Sequence, residues 1–332
     1  GGGIWTVVLK FAMNDGNPTF TSQTEVSGSA INQFSMDEFN GNFRIAVTDG
    51  EVWSDPPTSV NSVFTFDSQL QPLGSLEGMA EGERIYSVRF VGERGYLVTF
   101  RQIDPLFVLD LSDASKPLLL GHLKVPGFSE YLHPVDKNTI VGIGKDVVNG
   151  RTAGIKISLF DIKVPEEPRE AAVVVIGESG SYTPVSYEHK AFTFHKASGL
   201  MAFPLTETAT QAGQGWPRTI YEGLYVWKVD ASAGSVAFQG KITHSNRNWL
   251  DDNDAYGWYS DERQVKRSMY MDDTQQGPSL LTFSPRQFRA HRVTDLSQTG
   301  SSAALFSLNI TRPDCDDKPW EPQTPIYLAR MP

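Results

Sequence analysis

GERIYSVRFVGERGYLVTFRQIDPLFVLDLSD, residues 82–113, is the stretch whose reading decides the fold. From Arg84 to Val91 large apolar residues alternate with polar or small ones, and Tyr86, Val88 and Phe90 share one face. A period of two marks a half-buried strand, because successive strand side chains point to opposite faces. Gly92-Glu93-Arg94-Gly95 reads as a hairpin turn whose glycines are free to take positive φ. Tyr96, Val98 and Phe100 resume the alternation. Asp104-Pro105 interrupts it, since proline removes a ladder donor and restricts the residue before it. Residues 106–111 are almost wholly apolar, as in a strand covered on both faces. Residues 113–117 turn the chain and 118–125 supply a fourth strand. Four strands in about 40–45 residues is the pitch of a propeller blade or a meandering sheet.

The unit recurs in both directions. Downstream, strands are expected at 131–134, 139–145, 155–161 and 171–176, with an excursion at 146–154; then at 188–194, 200–204, 223–230 and 236–243, with an insertion at 206–219; then at 265–271, 279–283, 288–295 and 303–308. Upstream they fall at 33–36, 43–48, 62–66 and 70–76. Residues 4–11 and 20–26 form a hairpin that reads as the last two strands of a blade whose first two are absent. The expectation is therefore all-β: a β-propeller of four-stranded blades, about five and a half in this chain, with the N-terminal part of the ring missing. The domain covers 1–310, as a partial blade at 1–28 and full blades at 32–78, 83–128, 129–177, 185–244 and 265–308. Residues 311–332 are an extended proline-rich tail. An aspartate follows the third strand of each full unit (Asp67, Asp110, Asp161, Asp230, Asp295), placed to accept backbone N–H groups of the next turn. A helical reading fails, because apolar residues rarely fall at three-four spacing and β-branched and aromatic residues are dense.

The 332 residues carry a net charge of −10, which argues against a nucleic-acid backbone or an anionic membrane as the main partner. No apolar run approaches the roughly 18 residues of a membrane span. Gly1-Gly2-Gly3 leading straight into a strand leaves the expectation that the natural N-terminus lies upstream or has been removed. The one cysteine, Cys315, has no partner within the chain, so a disulfide through it would be intermolecular. Asn309-Ile310-Thr311 is an N-glycosylation sequon, meaningful in an exported protein.

QFSMDEFNGNFRIA (33–46), the stretch 82–113, PGFSEYLHP (126–134) and GIGKD (142–146) resemble the secreted beta-propeller domain family, distantly related to WD40 repeats. Weaker echoes continue through ISLFDI (157–162), HKAF (189–192), ITH (242–244) and QVKRSMY (264–270). The resemblance implies a propeller fold and export from the cell, hence an extracellular or cell-surface location. It carries no activity that transfers to particular residues. Members of the family have further strands before the point where this chain begins, and RPDCDDKPW (312–320) departs from their C-terminus.

Chemistry is sparse in the motifs. There is no nucleophile elbow; Gly177-Glu178-Ser179-Gly180 falls one residue short. Residues 142–146 lack the upstream glycine and the following Ser or Thr of a phosphate loop. Asp251, Asp252, Asp254 and Glu262 offer hard oxygen ligands, which makes Ca²⁺ a candidate cofactor; the twelve-residue calcium loop template fails in both registers, and a solvated acidic loop competes with it. A transition metal between sequence-distant histidines such as His133 and His189 is the lesser alternative. Arg89, Arg101, Asp104, Lys145, Asp146, Lys190, Lys266 and Arg267 sit in or beside apolar strands. They are either inter-blade ion pairs or the lining of a polar axial funnel. In the second case Asp104 and Asp146 form an acid–base pair, with His133 and His189 as further candidates. Trp216, Tyr221, Tyr225, Trp227, Trp249, Tyr256, Trp258 and Tyr259 crowd the last third, divided between core and exposed loops suited to protein or glycan contact.

The function expected is a secreted, non-enzymatic structural or protein- and glycan-binding module of an extracellular assembly. Its partners are other chains, or the missing part of the propeller. The alternatives are an extracellular hydrolase or lyase with carboxylates and histidines in the axial funnel, and a calcium-stabilised glycan-binding module. An axis plugged by apolar side chains weighs against the hydrolase.

Overall fold

The computed structural model describes residues 3–100, 104–211, 213, 215–245, 262–272, 277–298 and 302–310. Strands β1 (Trp5–Asn14) and β2 (Asn17–Ser27) form a two-stranded hairpin. Five four-stranded antiparallel sheets follow. The first holds β3 (Met36–Phe39), β4 (Asn42–Asp49), β5 (Val60–Phe66) and β6 (Pro72–Met79); the second β7 (Arg84–Val91), β8 (Arg94–Phe100), β9 (Asp104–Asp110) and β10 (Leu118–Val125). The third holds β11 (Phe128–Asp136), β12 (Thr139–Val148), β13 (Arg151–Asp161) and β14 (Arg169–Ile176). The fourth holds β15 (Thr193–His195), β16 (Leu200–Ala209), β17 (Arg218–Asp230) and β18 (Ser235–Ile242). The fifth holds β19 (Arg267–Met271), β20 (Ser279–Phe283), β21 (Gln287–Arg292) and β22 (Phe306–Asn309). Among the described residues the only helical segments are short 3₁₀ turns, and no helix is long and apolar enough to cross a membrane.

The sheets stack face to face through five separate apolar cores, each shared by two consecutive sheets. Ile45 and Val47 of β4 point back to Val26 of the hairpin, whereas Ala46 between them packs on Ile85, Leu97 and Leu109 of the second sheet. Tyr96 and Val98 meet Leu132, Ile140 and Phe160 of the third. Val141 and Ile143 meet Met201, Phe203 and Trp227 of the fourth. Leu200 and Ala202 meet Val265 and Leu280 of the fifth. Each central strand is thus buried on both sides, which is why its sequence runs apolar without a break while the pleat still sorts alternate residues to opposite neighbours. Successive blades stacked in this way are the packing of a propeller.

Local readings are corrected at several points. A register shift between Ile85 and Ser87 in the β7–β8 ladder inserts an extra residue, so Ile85, Val88 and Phe90 face the first sheet and Tyr86 faces the third. The turn there is Gly92-Glu93, with Gly92 at φ +55, while Gly95 lies inside β8. The excursion expected at 146–154 is an extension of the β12–β13 hairpin, pairing Val147 with Thr152 and Val148 with Arg151. The insertion at 206–219 is likewise shortened, because β16 and β17 pair out to Ala209 and Arg218. Strands expected at 33–36 and 188–194 begin as 3₁₀ turns, at Gln33–Ser35 and His189–Ala191. The aspartates after the third strands cap turns in four sheets: Asp67 Oδ1 accepts from Gln69 and Gln71 N, Asp110 from Ser112 N, Asp161 from Lys163 N, and Asp230 from Ser232 and Ala233 N. Asp295 instead lies in a 3₁₀ turn and faces Arg292 at 3.5 Å.

The glycines of 142–146 also find a structural reason. A Cβ at Gly144 would strike the Phe128 carbonyl on β11, and one at Gly142 would strike Ser129 and the Phe160 ring. These glycines let the innermost strand of the third sheet lie close. Gly144→Ala is expected to lower the unfolding free energy by about 2 kcal/mol, read from the urea midpoint. Gly150→Ala, at an open hairpin tip with φ +74, should cost about 1 kcal/mol through its backbone alone. Equal losses at the two positions would show that strand approach is not what Gly144 serves.

Candidate functional site

The first strands meet one another across the sheets: β7 touches β11 and the 3₁₀ turn before β3, and β15 touches β19. The fourth strands β6, β10, β14 and β18 instead carry runs of exposed residues. The inner strands therefore converge on an axis. Two of them, β3 and β15, are short because 3₁₀ turns replace their first halves. Asn32 caps the first turn by accepting from Phe34 N at 2.9 Å, and Glu188 caps the second by accepting from Lys190 N at 3.0 Å. The two turns are joined directly, Gln33 Nε2 lying 2.8 Å from His189 Nδ1.

Aromatic rings gather around this bond. Phe34 meets His189 and Tyr131 edge-on, with ring centroids 5.2 and 5.9 Å apart. The Arg89 guanidinium lies 3.7 Å from the Phe34 centroid, and its Nε donates to the Leu132 carbonyl at 2.8 Å. His133 packs against Phe192 and Phe194, with centroids 4.7 and 5.0 Å away, and its Nδ1 lies 3.4 Å from the Tyr131 hydroxyl. Burial lowers the Arg89 pKa and raises that of Tyr131. It pushes His133 down to about 4, with the nearby Arg89 charge adding to the effect. His133 is therefore neutral at pH 7 and far from the poise of a general acid or base. What this cluster does chemically is to tie four sheets together through cation–π and aromatic contacts.

The charges picked out from the strands act mostly between blades. Arg89 bonds the third sheet, the Lys145 ammonium donates to the Ser181 carbonyl, and Arg267 faces Glu188 at 3.5 Å. Lys266 donates to Gln264, and Lys190 is exposed. Arg101 lies outside the described residues, as does the side chain of Asp104, whose backbone pairs with Val125. Asp146 sits at the bulge of β12, in a different sheet from Asp104. Asp251, Asp252 and Asp254 lie outside the described residues; Glu262 is ion-paired to Arg286. Among the described residues no three His, Cys, Asp or Glu side chains converge as a metal requires. Asn309 ends β22 exposed, its Oδ1 accepting from Gln287 Nε2 at 3.0 Å. Cys315 and the tail 311–332 are outside the described residues, as are Trp249, Tyr256, Trp258 and Tyr259; Trp216 is exposed, and Tyr221, Tyr225 and Trp227 are core.

Sequence reading missed the two end faces of the stack. On β1 the side chains of Trp5, Val7, Leu9, Phe11 and Met13 are 49–67 % exposed, while the intervening Val8 packs on the first sheet. Phe20 on β2, opposite Phe11, widens this stripe. At the other end Met269, Met271, Phe306 and Leu308 are exposed on the face of the fifth sheet turned away from the fourth, with Phe283 and Phe288 beside them. The alternation of β1 was the available signal: apolar residues stand at every odd position from 5 to 13 and also at 8 and 12, the mark of a strand with two apolar faces.

The chain is similar to two archaeal proteins described only as uncharacterized. One from Methanocaldococcus jannaschii is 46% identical over 146 residues, 44% of this chain and 23% of that protein. One from Archaeoglobus fulgidus is 40% identical over 179 residues, 54% of this chain and 27% of that protein. The matches thus take in about a quarter of each relative's length. Among solved structures, Sqt1 from Chaetomium thermophilum aligns with 82% of this chain and 58% of its own at 13% identity and a TM-score of 0.46. Sheets stacked through shared cores about an axis of inner strands agree with the family whose pattern matches residues 4–296: the chain belongs to the beta propeller domain family.

Proposed function

We propose that the protein is a non-enzymatic β-propeller module of an exported, extracellular assembly, completed by further β-structure seated on its two end faces. The stripe Trp5-Val7-Leu9-Phe11-Met13 carries this reading. Contiguous apolar surface left in water is unfavourable by about 25 cal/mol per Å², and patches beyond a few hundred Å² mark interfaces. The stripe has the period of a pleated strand, and it repeats on its outer side the kind of face that elsewhere in the molecule forms an inter-sheet core. Further strands of the same polypeptide or of a partner chain suit both end faces. The family resemblance supports export, and Asn309, exposed at the end of β22, suits glycosylation there. The axis supports binding over catalysis, since His133 is neutral among aromatic rings and His189 is bonded to Gln33.

The test is labelling of the full-length polypeptide by a bulky maleimide, in a Cys315→Ser background. Val7→Cys is expected to react at least about tenfold more slowly than Val164→Cys, which lies on an exposed turn. Equal rates would mean that the hairpin face is open to solvent, and the proposal would fall.

A further inference from the structure

We propose that the recess below the loop between β4 and β5 is a binding site for a neutral glycan. The recess has a volume of about 320 Å³ and lies where the end of β2, the β4–β5 loop and the start of β7 meet. That is within the range of about 300–1,000 Å³ typical of small-molecule sites. At its rim stands Trp53, 85 % exposed, too far out to contribute to any core. The loop that displays it is stapled from within: Thr58 N donates to the Glu51 carbonyl at 2.9 Å, Glu51 N donates to Thr58 Oγ1 at 3.1 Å, and Ser54 Oγ donates to the Pro56 carbonyl at 2.9 Å. Across the recess the Arg84 guanidinium lies 4.8 Å from the Tyr86 centroid and donates to its hydroxyl at 3.2 Å. Tyr86 is held in turn by Phe128 at 4.8 Å.

An exposed indole at the rim of a recess with polar groups suits a pyranose, whose C–H face stacks on the indole while its hydroxyls need both donors and acceptors. Both are present and uncommitted. The Glu51 carboxylate and the Ser29 hydroxyl bond no described residue, and Arg84 keeps N–H groups beyond the one given to Tyr86. Glu51 and Arg84 cancel in charge, which favours a neutral sugar over a uronic, sialic or phosphorylated one. An extended peptide finds no strand edge here, because the backbones of Ser29 and Thr48 already pair with each other at 2.8 and 3.1 Å. The site rests on reading the protein as a binding module, yet Trp53, Glu51 and Arg84 are outside the stripe on β1, so it fails or stands separately from the end faces.

The test is calorimetric titration of the full-length protein with mannose, galactose, glucose, N-acetylglucosamine and their disaccharides. Saturable binding to at least one is expected. Trp53→Ala should weaken it at least about tenfold and Glu51→Gln by a smaller factor. The thermal midpoint should not move, since Trp53 supports no core. Absence of binding by every sugar, or binding indifferent to Trp53→Ala and Glu51→Gln, overturns the assignment. So does Trp53-dependent binding of extended peptides in place of sugars. Slow labelling at Val7 together with either result would leave the end-face reading intact.

Discussion

Replacing Arg44 with alanine is expected to lower the unfolding free energy by about 3–4 kcal/mol, the range seen when one member of a buried ion pair is removed. Arg44 is 2 % exposed although it sits in a strand of an apolar sheet. Its Nε and Nη2 grip the two oxygens of Asp37 at 2.7 and 2.5 Å, and its Nη1 donates to the Gly92 carbonyl at 2.5 Å. The guanidinium is also sandwiched by Phe39 and Phe90, with centroids 5.2 and 5.1 Å away. One side chain therefore joins β3, its own β4 and the β7–β8 turn of the next sheet. Asp37 retains about a third of its surface in water, so the carboxylate left behind is partly solvated and the loss stays near the low end of the range. Arg44→Lys keeps the charge but cannot form the fork, and about 2 kcal/mol should still be lost. Urea unfolding of both variants, with a double-mutant cycle through Asp37→Asn, measures the coupling. A change below about 1 kcal/mol for Arg44→Ala would mean that water already reaches the pair.

The strands were legible where one ladder decides them. Residues 118–125 and 279–283 were read with the bounds of β10 and β20, because turns close both ends and the faces are unambiguous. Tyr86 was misassigned because a bulge belongs to the pair of strands, not to either sequence. The 3₁₀ turns at Phe34 and His189 read as strands because Phe34 and Met36, and Phe192 and Phe194 just after the second turn, alternate as in a strand, and the caps Asn32 and Glu188 are too common to signal a turn alone. The long hairpins at 147–152 and 205–219 looked like loops because ribbons that outrun their sheet lose the apolar pattern. The axial cluster was out of reach for another reason. Phe34, Arg89, His133 and His189 come from four sheets, and only registers that no local pattern encodes bring Gln33 to His189 across 156 residues. The Arg44–Asp37 fork was missed for the same cause, though an arginine between Phe43 and Ile45 in a strand was itself a sign of a buried partner.

Acid should unfold this protein well before its carboxylates protonate. His244 and His291 are both 0 % exposed. His244 has Nδ1 3.0 Å from Ser284 Oγ and Nε2 2.7 Å from Thr282 Oγ1. His291 has Nδ1 3.2 Å from the Ala303 carbonyl, and its buried Nε2 has no hydrogen-bond partner among the described residues. Burial, reinforced by the Arg289 charge, pushes His244 down to about 3, and burial pushes His291 to about 4. A free histidine titrates near 6.5, so between that value and the folded values the unfolded chain binds more protons than the folded one. The stability these residues contribute is complete above about pH 6.5 and is lost as the pH falls through this window. At about 1.4 kcal/mol per unit, His244 alone accounts for roughly 3 kcal/mol by pH 4, and His291 for a similar amount. His133, also pushed to about 4, adds a comparable amount, discounted for its partial exposure to solvent. Together they approach the 5–15 kcal/mol that holds a typical domain folded. Asp110 and Asp161, whose pKa values are lowered by turn N–H groups and by Arg94 and Arg169, lose their contribution only below about pH 4, so between about pH 6.5 and 4 the loss belongs to the histidines. Thermal midpoints measured from pH 7.5 to 4.5 should fall steeply below pH 6. His244→Gln, which keeps bonds to Ser284 and Thr282 without a titrating group, should flatten that slope while leaving the midpoint at pH 7.5 within a few degrees. A midpoint that does not move between pH 7 and pH 5 would show that these imidazoles are hydrated or already paired in the folded chain.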